Sequence, residues 1–301
     1  MENNSSSIFF SIIIPTYNRA ALISDTIKAA LNQTYKNFEV IIVDDGSSDN
    51  TGEVVALIKD ERLKYFKKKN EERGAARNYG TEKALGDYIN FVDSDDIIYP
   101  HHLQKAYEFI LKHSKPEVFH FGYEIVTPQN ALVKRVDNLK GNINKKLIVD
   151  NFLSPIGMFI RKDIACQFPF ENDRRMAVTE DWELWLRLAS RFTILYSNEI
   201  TSKVIDHDER SIKEFDVDKI IIRDLLLIEK LKNDKEVIRK YKNQFPRFIA
   251  DRYTFFTLLL ALKKQRKKTI QYLFKAIFIN PSVIFRRRFL ASVKHMVLHL
   301  F

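Results

Sequence analysis

FEVIIVDDGSSDNT, residues 38–51, joins an apolar, β-branched run to a turn of acids, serines and a glycine. Phe38–Val43 reads as a strand, and the polar turn leads into a helix carrying Val54, Val55, Leu57 and Ile58. Upstream, Phe9–Ile14 is a continuous apolar run of the kind found in strands covered on both faces. Pro15 is expected to stop it. Asn18 can then cap a helix over Arg19–Asn32, whose apolar stripe is Leu22, Ile23, Ile27, Ala30 and Leu31. Downstream the alternation continues with a strand at Leu63–Phe66, a helix at Gly74–Ala84 and a strand at Tyr88–Val92 that ends in DSDD. Strands alternating with helices predict an α/β architecture with a mostly parallel central sheet flanked by helices.

Beyond this, Pro100 suits the first turn of a helix reaching about His113, Glu117–Val126 reads as a strand, and Thr179–Ala189 as a helix. Lys134–Ile148 is polar and weakly patterned, as expected of a mobile loop over a site. From about Phe215 the chain reads as helical, interrupted near Pro246 and Pro281. In an open α/β sheet, ligands bind at the carboxyl ends of the strands. Three such ends carry polar residues: Pro15–Asn18, Asp44–Ser48 and Asp93–Asp96.

The length of 301 residues suits one large α/β domain with an appendage, and 45% hydrophobic with 29% charged residues predicts a well-formed core. Cys166 is the only cysteine, which excludes an intrachain disulfide and favours a reducing compartment. It is expected to be a small core residue. The first residues lack a basic segment before a short apolar run, so no signal peptide is read there, and no apolar run reaches the ~20 residues of a membrane span. The net charge of +10 is carried by the tail. Arg252–Phe301 holds eleven Lys and Arg and no acid, so the first 251 residues carry −1 (+10 less +11).

Asp93, Ser94 and Asp95 follow a strand directly, and carboxylates so spaced can present oxygens to Mg²⁺ or Mn²⁺. The alternative is a set of turn or cap residues before the next helix. Asp44 and Asp45 can accept hydrogen bonds from a nucleobase or ribose, or cap the helix that follows. Glu180 and Asp181 begin a helix, where the dipole favours acids by roughly 0.3–1 kcal/mol. A carboxylate there can also take a proton from an attacking hydroxyl.

SIIIPTYNRA, FEVIIVDDGSSDNT, RGAARNYG, GDYINFVDSDD and TEDWELWLRLA follow one another in this chain. Their order and spacing resemble family 2 glycosyltransferases of the GT-A fold over roughly residues 8–210. The resemblance implies an inverting transfer of sugar from a nucleotide diphosphate, a UDP-sugar in most relatives, to an acceptor hydroxyl. It also implies the roles of individual residues. Pro15, Thr16 and Tyr17 would line the nucleobase pocket, Asp45 would hold the base, Arg77 would lie by the nucleotide, and Asp93 and Ser94 would sit near the ribose. Asp95 matches the metal ligand, with His207 (followed by Ser211) as its partner or else an exposed loop residue. Asp181 matches the catalytic base, with Glu180, Trp182 and Trp185 on the acceptor side, the tryptophans as platforms for a sugar face. The QxxRW motif of processive synthases is absent, which favours transfer of single sugars.

The implied division is a GT-A domain over residues 1–212, with a nucleotide-binding half at about 8–100 and an acceptor half at about 101–212, then a basic helical region over 213–301. In that region Phe255, Phe256, Leu258–Leu260, Leu262, Tyr272, Phe274, Ile277 and Phe278 alternate with basic clusters. This suits amphipathic helices on the cytoplasmic membrane surface, or a subdomain packed on the catalytic part. Nucleic acid is disfavoured by the interleaved aliphatics. The expected acceptor is a glycan or a lipid-linked sugar, and the expected location is cytoplasmic and peripheral to the membrane. Two rivals stand: a non-catalytic binder of nucleotide-sugars or headgroups, and a nucleotidyltransferase, which would need a Gly-rich basic loop that SIIIPTYNRA does not supply.

Overall fold

The computed structural model describes residues 7–207 and 216–298. Ser211 lies outside them. The first part runs β1 (Phe10–Thr16), α1 (Ile23–Leu31), β2 (Phe38–Asp44), α2 (Thr51–Ala56), β3 (Leu63–Lys67), α3 (Glu72–Lys83) and β4 (Tyr88–Phe91). The second runs β5 (Ile97–Ile98), α4 (His102–Lys112), β6 (Val118–Val126), β7 (Leu132–Val136), α5 (Ile143–Leu147), β8 (Met158–Arg161), α6 (Lys162–Gln167), α7 (Glu180–Arg191) and β9 (Leu195–Ile205). Five helices close the chain: α8 (Val217–Asn233), α9 (Lys235–Tyr241), α10 (Phe245–Leu262), α11 (Arg266–Ile279) and α12 (Arg287–Leu298).

One sheet has the order β3-β2-β1-β4-β8-β6-β9-β5, with β7 on β6. Strands β1 to β4 pair in parallel, as the apolar runs imply. The second half is mixed, because β8 enters antiparallel between β4 and β6 while β6 and β9 run parallel. Side chains alternate across the sheet. Ile13, Ile41, Val43 and Phe91 face the cluster shared with α7, and Ile12, Ile14, Val40 and Ile42 face the opposite cluster.

Three local expectations change. Pro15 does not stop β1, which continues to Thr16 in register with β2. The reason is geometric: Ile13 O accepts from Val92 N, so odd residues of β1 point toward β4. That strand has ended by the level of Pro15, so the missing N–H takes nothing from the ladder. Asn18 caps no helix. It holds φ +49 and its Oδ1 accepts from Ser48 N and Asp49 N, tying the loops after β1 and β2 together. Lys134–Ile148 is not a bare loop, since it contains the end of β7 and all of α5, capped by Asn142.

Cys166 is exposed on α6, not in the core. The closing helices are partly core as well. Leu227, Leu231, Tyr241 and Phe248 join the cluster that holds Trp182 and Trp185. Phe256, Leu259 and Leu260, expected on a membrane face, are buried against Val217, Ile220 and Ile221 of α8. Helix α3 lies close on the sheet because residue 80 is glycine. A Cβ there would sit 2.4 Å from Ile13 Cγ2, and this close seat brings Arg77, one turn earlier, to the strand ends.

Candidate active site

A cavity of about 860 Å³ opens at the carboxyl ends of β1, β2 and β4, within the range of small-molecule sites. Pro15, Thr16 and Tyr17 line it from the end of β1, Asp45 from β2, Arg77 from α3, and Asp93, Ser94 and Asp95 from β4. Glu180 and Asp181 reach it from the first turn of α7. Residues separated by more than 160 positions thus share one space.

Arg77 is the centre of the arrangement. It is 1% exposed, and its Nη2 donates to Asp93 Oδ1 at 2.6 Å while Nη1 donates to Glu180 Oε1 at 2.9 Å. Burial acts to lower its pKa, but the two carboxylates overcome this and the net shift is upward. Arg73, one turn before it, lies 3.8 Å from the same Glu180 oxygen. Arg77, expected beside a nucleotide, lines the cavity held between two acids, and Glu180, expected toward an acceptor, lines it too while accepting from Arg77.

Asp181 lines the cavity half-buried. Its Oδ1 accepts from Trp182 N at 2.6 Å and from Asn151 Nδ2 at 3.3 Å. Burial, followed by the charge of Glu180, pushes its carboxyl up to about 7, against the pull of Arg77 and the two hydrogen bonds. A carboxylate poised near neutrality suits proton abstraction.

Asp45 is 3% exposed and accepts from Lys68 Nζ at 3.0 Å and Glu71 N at 3.0 Å. Those bonds fix its orientation at the cavity wall. Tyr17, by contrast, is exposed at the mouth. Thr16 Oγ1 is buried with no hydrogen-bond partner among the described residues. Asp95 Oδ2 lies 3.0 Å from His207 Nε2 and 3.8 Å from Arg19 Nε, so the two residues paired from sequence meet in space. The carboxylate oxygen suits Mn²⁺ or Mg²⁺, and the imidazole nitrogen, a ligand for transition ions, fits Mn²⁺ better than Mg²⁺. Among the described residues no group of three or more His, Cys, Asp or Glu could hold a metal, so substrate oxygens and water would have to complete the shell.

The tryptophans do not fit the role expected of them. Trp185 is fully buried, edge-on to Phe170, and Trp182 donates Nε1 to Leu147 O and packs edge-on to Phe248. Neither lines the cavity, because they share the apolar stripe of α7 that faces the core. Arg73, Arg174, Asn70 and Asn151 line it unpredicted. Arg73 was open to discovery four residues before Arg77. Asn151 lies in an irregular segment and Arg174 in a three-residue 3-10 turn, neither long enough to give a periodic signal. Val178, at φ +84 two residues before α7, holds a conformation rare for a β-branched residue.

Residues 11–167 match the family model described as glycosyl transferase family 2. An uncharacterized glycosyltransferase of Rickettsia conorii is 36% identical over 64% of this chain, a match spanning 32% of that relative's length. One from Haemophilus influenzae is 34% identical over 64% of this chain and 78% of its own. The Escherichia coli UDP-Glc:alpha-D-GlcNAc-diphosphoundecaprenol beta-1,3-glucosyltransferase WfgD is 33% identical over 59% of this chain and 68% of its own. Among solved structures, S. aureus TarS 1-349 in complex with UDP-GlcNAc superposes with a TM-score of 0.63 at 19% identity, over 87% of this chain and 88% of that one. The structural likeness speaks to the fold.

Replacing Arg77 by Met should destabilise the protein by roughly 3–5 kcal/mol, the usual effect of stripping one partner from a buried ion pair. Adding Glu180→Gln should recover part of it. Urea unfolding checks both, and an unchanged midpoint for Arg77→Met would contradict the bridge.

Proposed function

The chain belongs to glycosyl transferase family 2, and from that premise we propose that it moves a single sugar from a UDP-sugar to an acceptor hydroxyl, with Asp181 as the base. The observation that carries the reading is the convergence of Asp45, Asp93, Asp95 and Asp181 on one cavity at the strand ends. Thr16, Tyr17 and Asp45 take the nucleobase, with the unpaired Thr16 Oγ1 an available hydrogen-bonding group there. Asp93 and Ser94 face the ribose, and Arg77 holds Asp93 in place from behind. Asp95 and His207 would hold a divalent cation, which when bound neutralises charge on the departing nucleoside diphosphate.

Asp181 takes the proton of the acceptor hydroxyl as its oxygen attacks the anomeric carbon, and the nucleoside diphosphate leaves from the opposite side. One carboxylate acting in one displacement inverts that centre. The acceptor is a lipid-linked or growing glycan, a reading supported by the substrate in the name of the Escherichia coli relative. Glu180 holds Arg77 and sets a negative charge beside Asp181.

A membrane-surface location accompanies this reading. Ile270, Phe274 and Phe278 form an i, i+4, i+8 stripe on α11, with Phe274 69% and Phe278 91% exposed, and Phe285 follows at 82%. Lys267, Lys268, Lys275, Arg286 and Arg287 flank them. Exposed aromatics set among cations suit an anionic bilayer surface. No helix among the described residues is long and apolar enough to cross a membrane.

Release of nucleoside diphosphate from a panel of UDP-sugars with a lipid-linked glycan acceptor measures the reaction. Asp181→Asn should lower turnover about 10²–10⁴-fold and leave nucleotide affinity intact. In the unsubstituted protein, turnover should rise with pH through about 7, where Asp181 ionises. Near-normal turnover by Asp181→Asn would sink the base assignment, and no release from any UDP-sugar by the unsubstituted protein would favour a nucleotide-sugar binder. Separately, Phe274→Ser with Phe278→Ser should abolish co-sedimentation with phosphatidylglycerol vesicles. Equal binding of the unsubstituted protein to purely zwitterionic vesicles would count against the charge-assisted surface.

A further inference from the structure

Asn151 stands in the irregular segment after α5, far from the motifs, yet lines the same cavity as Asp181. Its Nδ2 donates to Asp181 Oδ1 at 3.3 Å, and its own Oδ1 is buried with no hydrogen-bond partner among the described residues. The reverse amide orientation would set Oδ1 against a carboxylate oxygen. A buried acceptor without a donor is a cost that packing alone would select against. The side chain is therefore held for what its N–H does.

That N–H acts with a second one. Trp182 N and Asn151 Nδ2 both converge on Oδ1 of Asp181, and no donor among the described residues is recorded for Oδ2. One oxygen of the carboxylate is pinned and the other is left to receive a proton. We infer that Asn151 is a positioning residue for Asp181, fixing the carboxylate's rotation and favouring its ionised form so that Oδ2 meets the acceptor hydroxyl. The inference rests on Asp181 being the base.

The charges facing Asp181 are Glu180 on its own helix and Arg77 on α3, with Arg73 beside Glu180. Arg174 and Asp206 line the same cavity, and Asp150, next to Asn151, acts on Arg252 of α10. Burial and Glu180 raise the folded pKa of Asp181 above its unfolded value. The native state then binds the extra proton between those values, and this group's contribution falls as pH rises through the window. The Asn151 hydrogen bond opposes the rise, so its loss should weaken the protein at high pH and barely at low pH.

The test is a thermal-unfolding cycle on the full chain with Asn151→Ala, Asp181→Asn and the double variant, at pH 5 and pH 8.5. Should Asn151→Ala fail to fold, Asn151→Leu, closer in size, is read the same way. The expected result is a Tm loss of roughly 2–4 °C for Asn151→Ala at pH 8.5. It should be nearly absent at pH 5 and absent at either pH in the Asp181→Asn background. A loss equal at both pH values, one that survives in the Asp181→Asn background, or no loss at all overturns the inference. Failure of the base assignment is a separate outcome, read as full sugar transfer by Asp181→Asn whatever the cycle gives.

Discussion

The buried guanidinium of Arg77 is the constraint on which the site depends. It joins Asp93, in the loop after β4, to Glu180, which begins α7, so the strand-end loops and that helix are tied together. A cation at 1% exposure is tolerable only when its charges are answered, and both acids are drawn in by that requirement. The same requirement places Asp181 one residue beyond Glu180, next to a buried negative charge. Burial first, and that charge second, raise its carboxyl toward neutrality.

The strand-then-polar-loop pattern at residues 10–18, 38–48 and 88–96 was legible because parallel strands covered on both faces are apolar nearly throughout. Polar loops at their ends, acidic in the second and third cases, therefore stand out. Strand β9 was not legible. Its sequence, LYSNEITSKVI, is polar and bulged, and it pairs with β6 only through tertiary context. Strand β8 is four residues long, too short to carry a period. On α7 the stripe that includes Trp182 and Trp185 correctly marked an amphipathic helix. Proximity to Asp181 then suggested a sugar platform, although one turn of helix suffices to separate cavity from core. Asn151 lay beyond the reach of pattern, since a single amide in NFLSPIG has no spacing to test.

The closing helices belong to the same physical unit as the site. Arg252 of α10 stacks 5.2 Å from the Trp182 ring and lies 3.5 Å from Asp224 of α8, while Phe248, one turn earlier on α10, packs edge-on to the same tryptophan. The basic tail thus divides by burial. Residues of α10 support the helix that carries Asp181, and the exposed aromatics of α11 and Phe285 are left for a surface. Charge counting along the chain could not make that division, because Arg252 and Lys275 look alike in sequence.

The central claim is that the cavity organised around Arg77 takes a nucleoside diphosphate together with a divalent cation. Thermal unfolding with UDP, dTDP, GDP or CDP, each with Mn²⁺, Mg²⁺ or a chelator, tests it directly. Ligand binding to the native state raises its stability by RT ln(1 + [L]/Kd), about 2.7 kcal/mol at a hundredfold excess over Kd. The account predicts a rise in Tm with UDP that needs the cation and is lost with chelator. No rise with any nucleotide under any of the three conditions would contradict it.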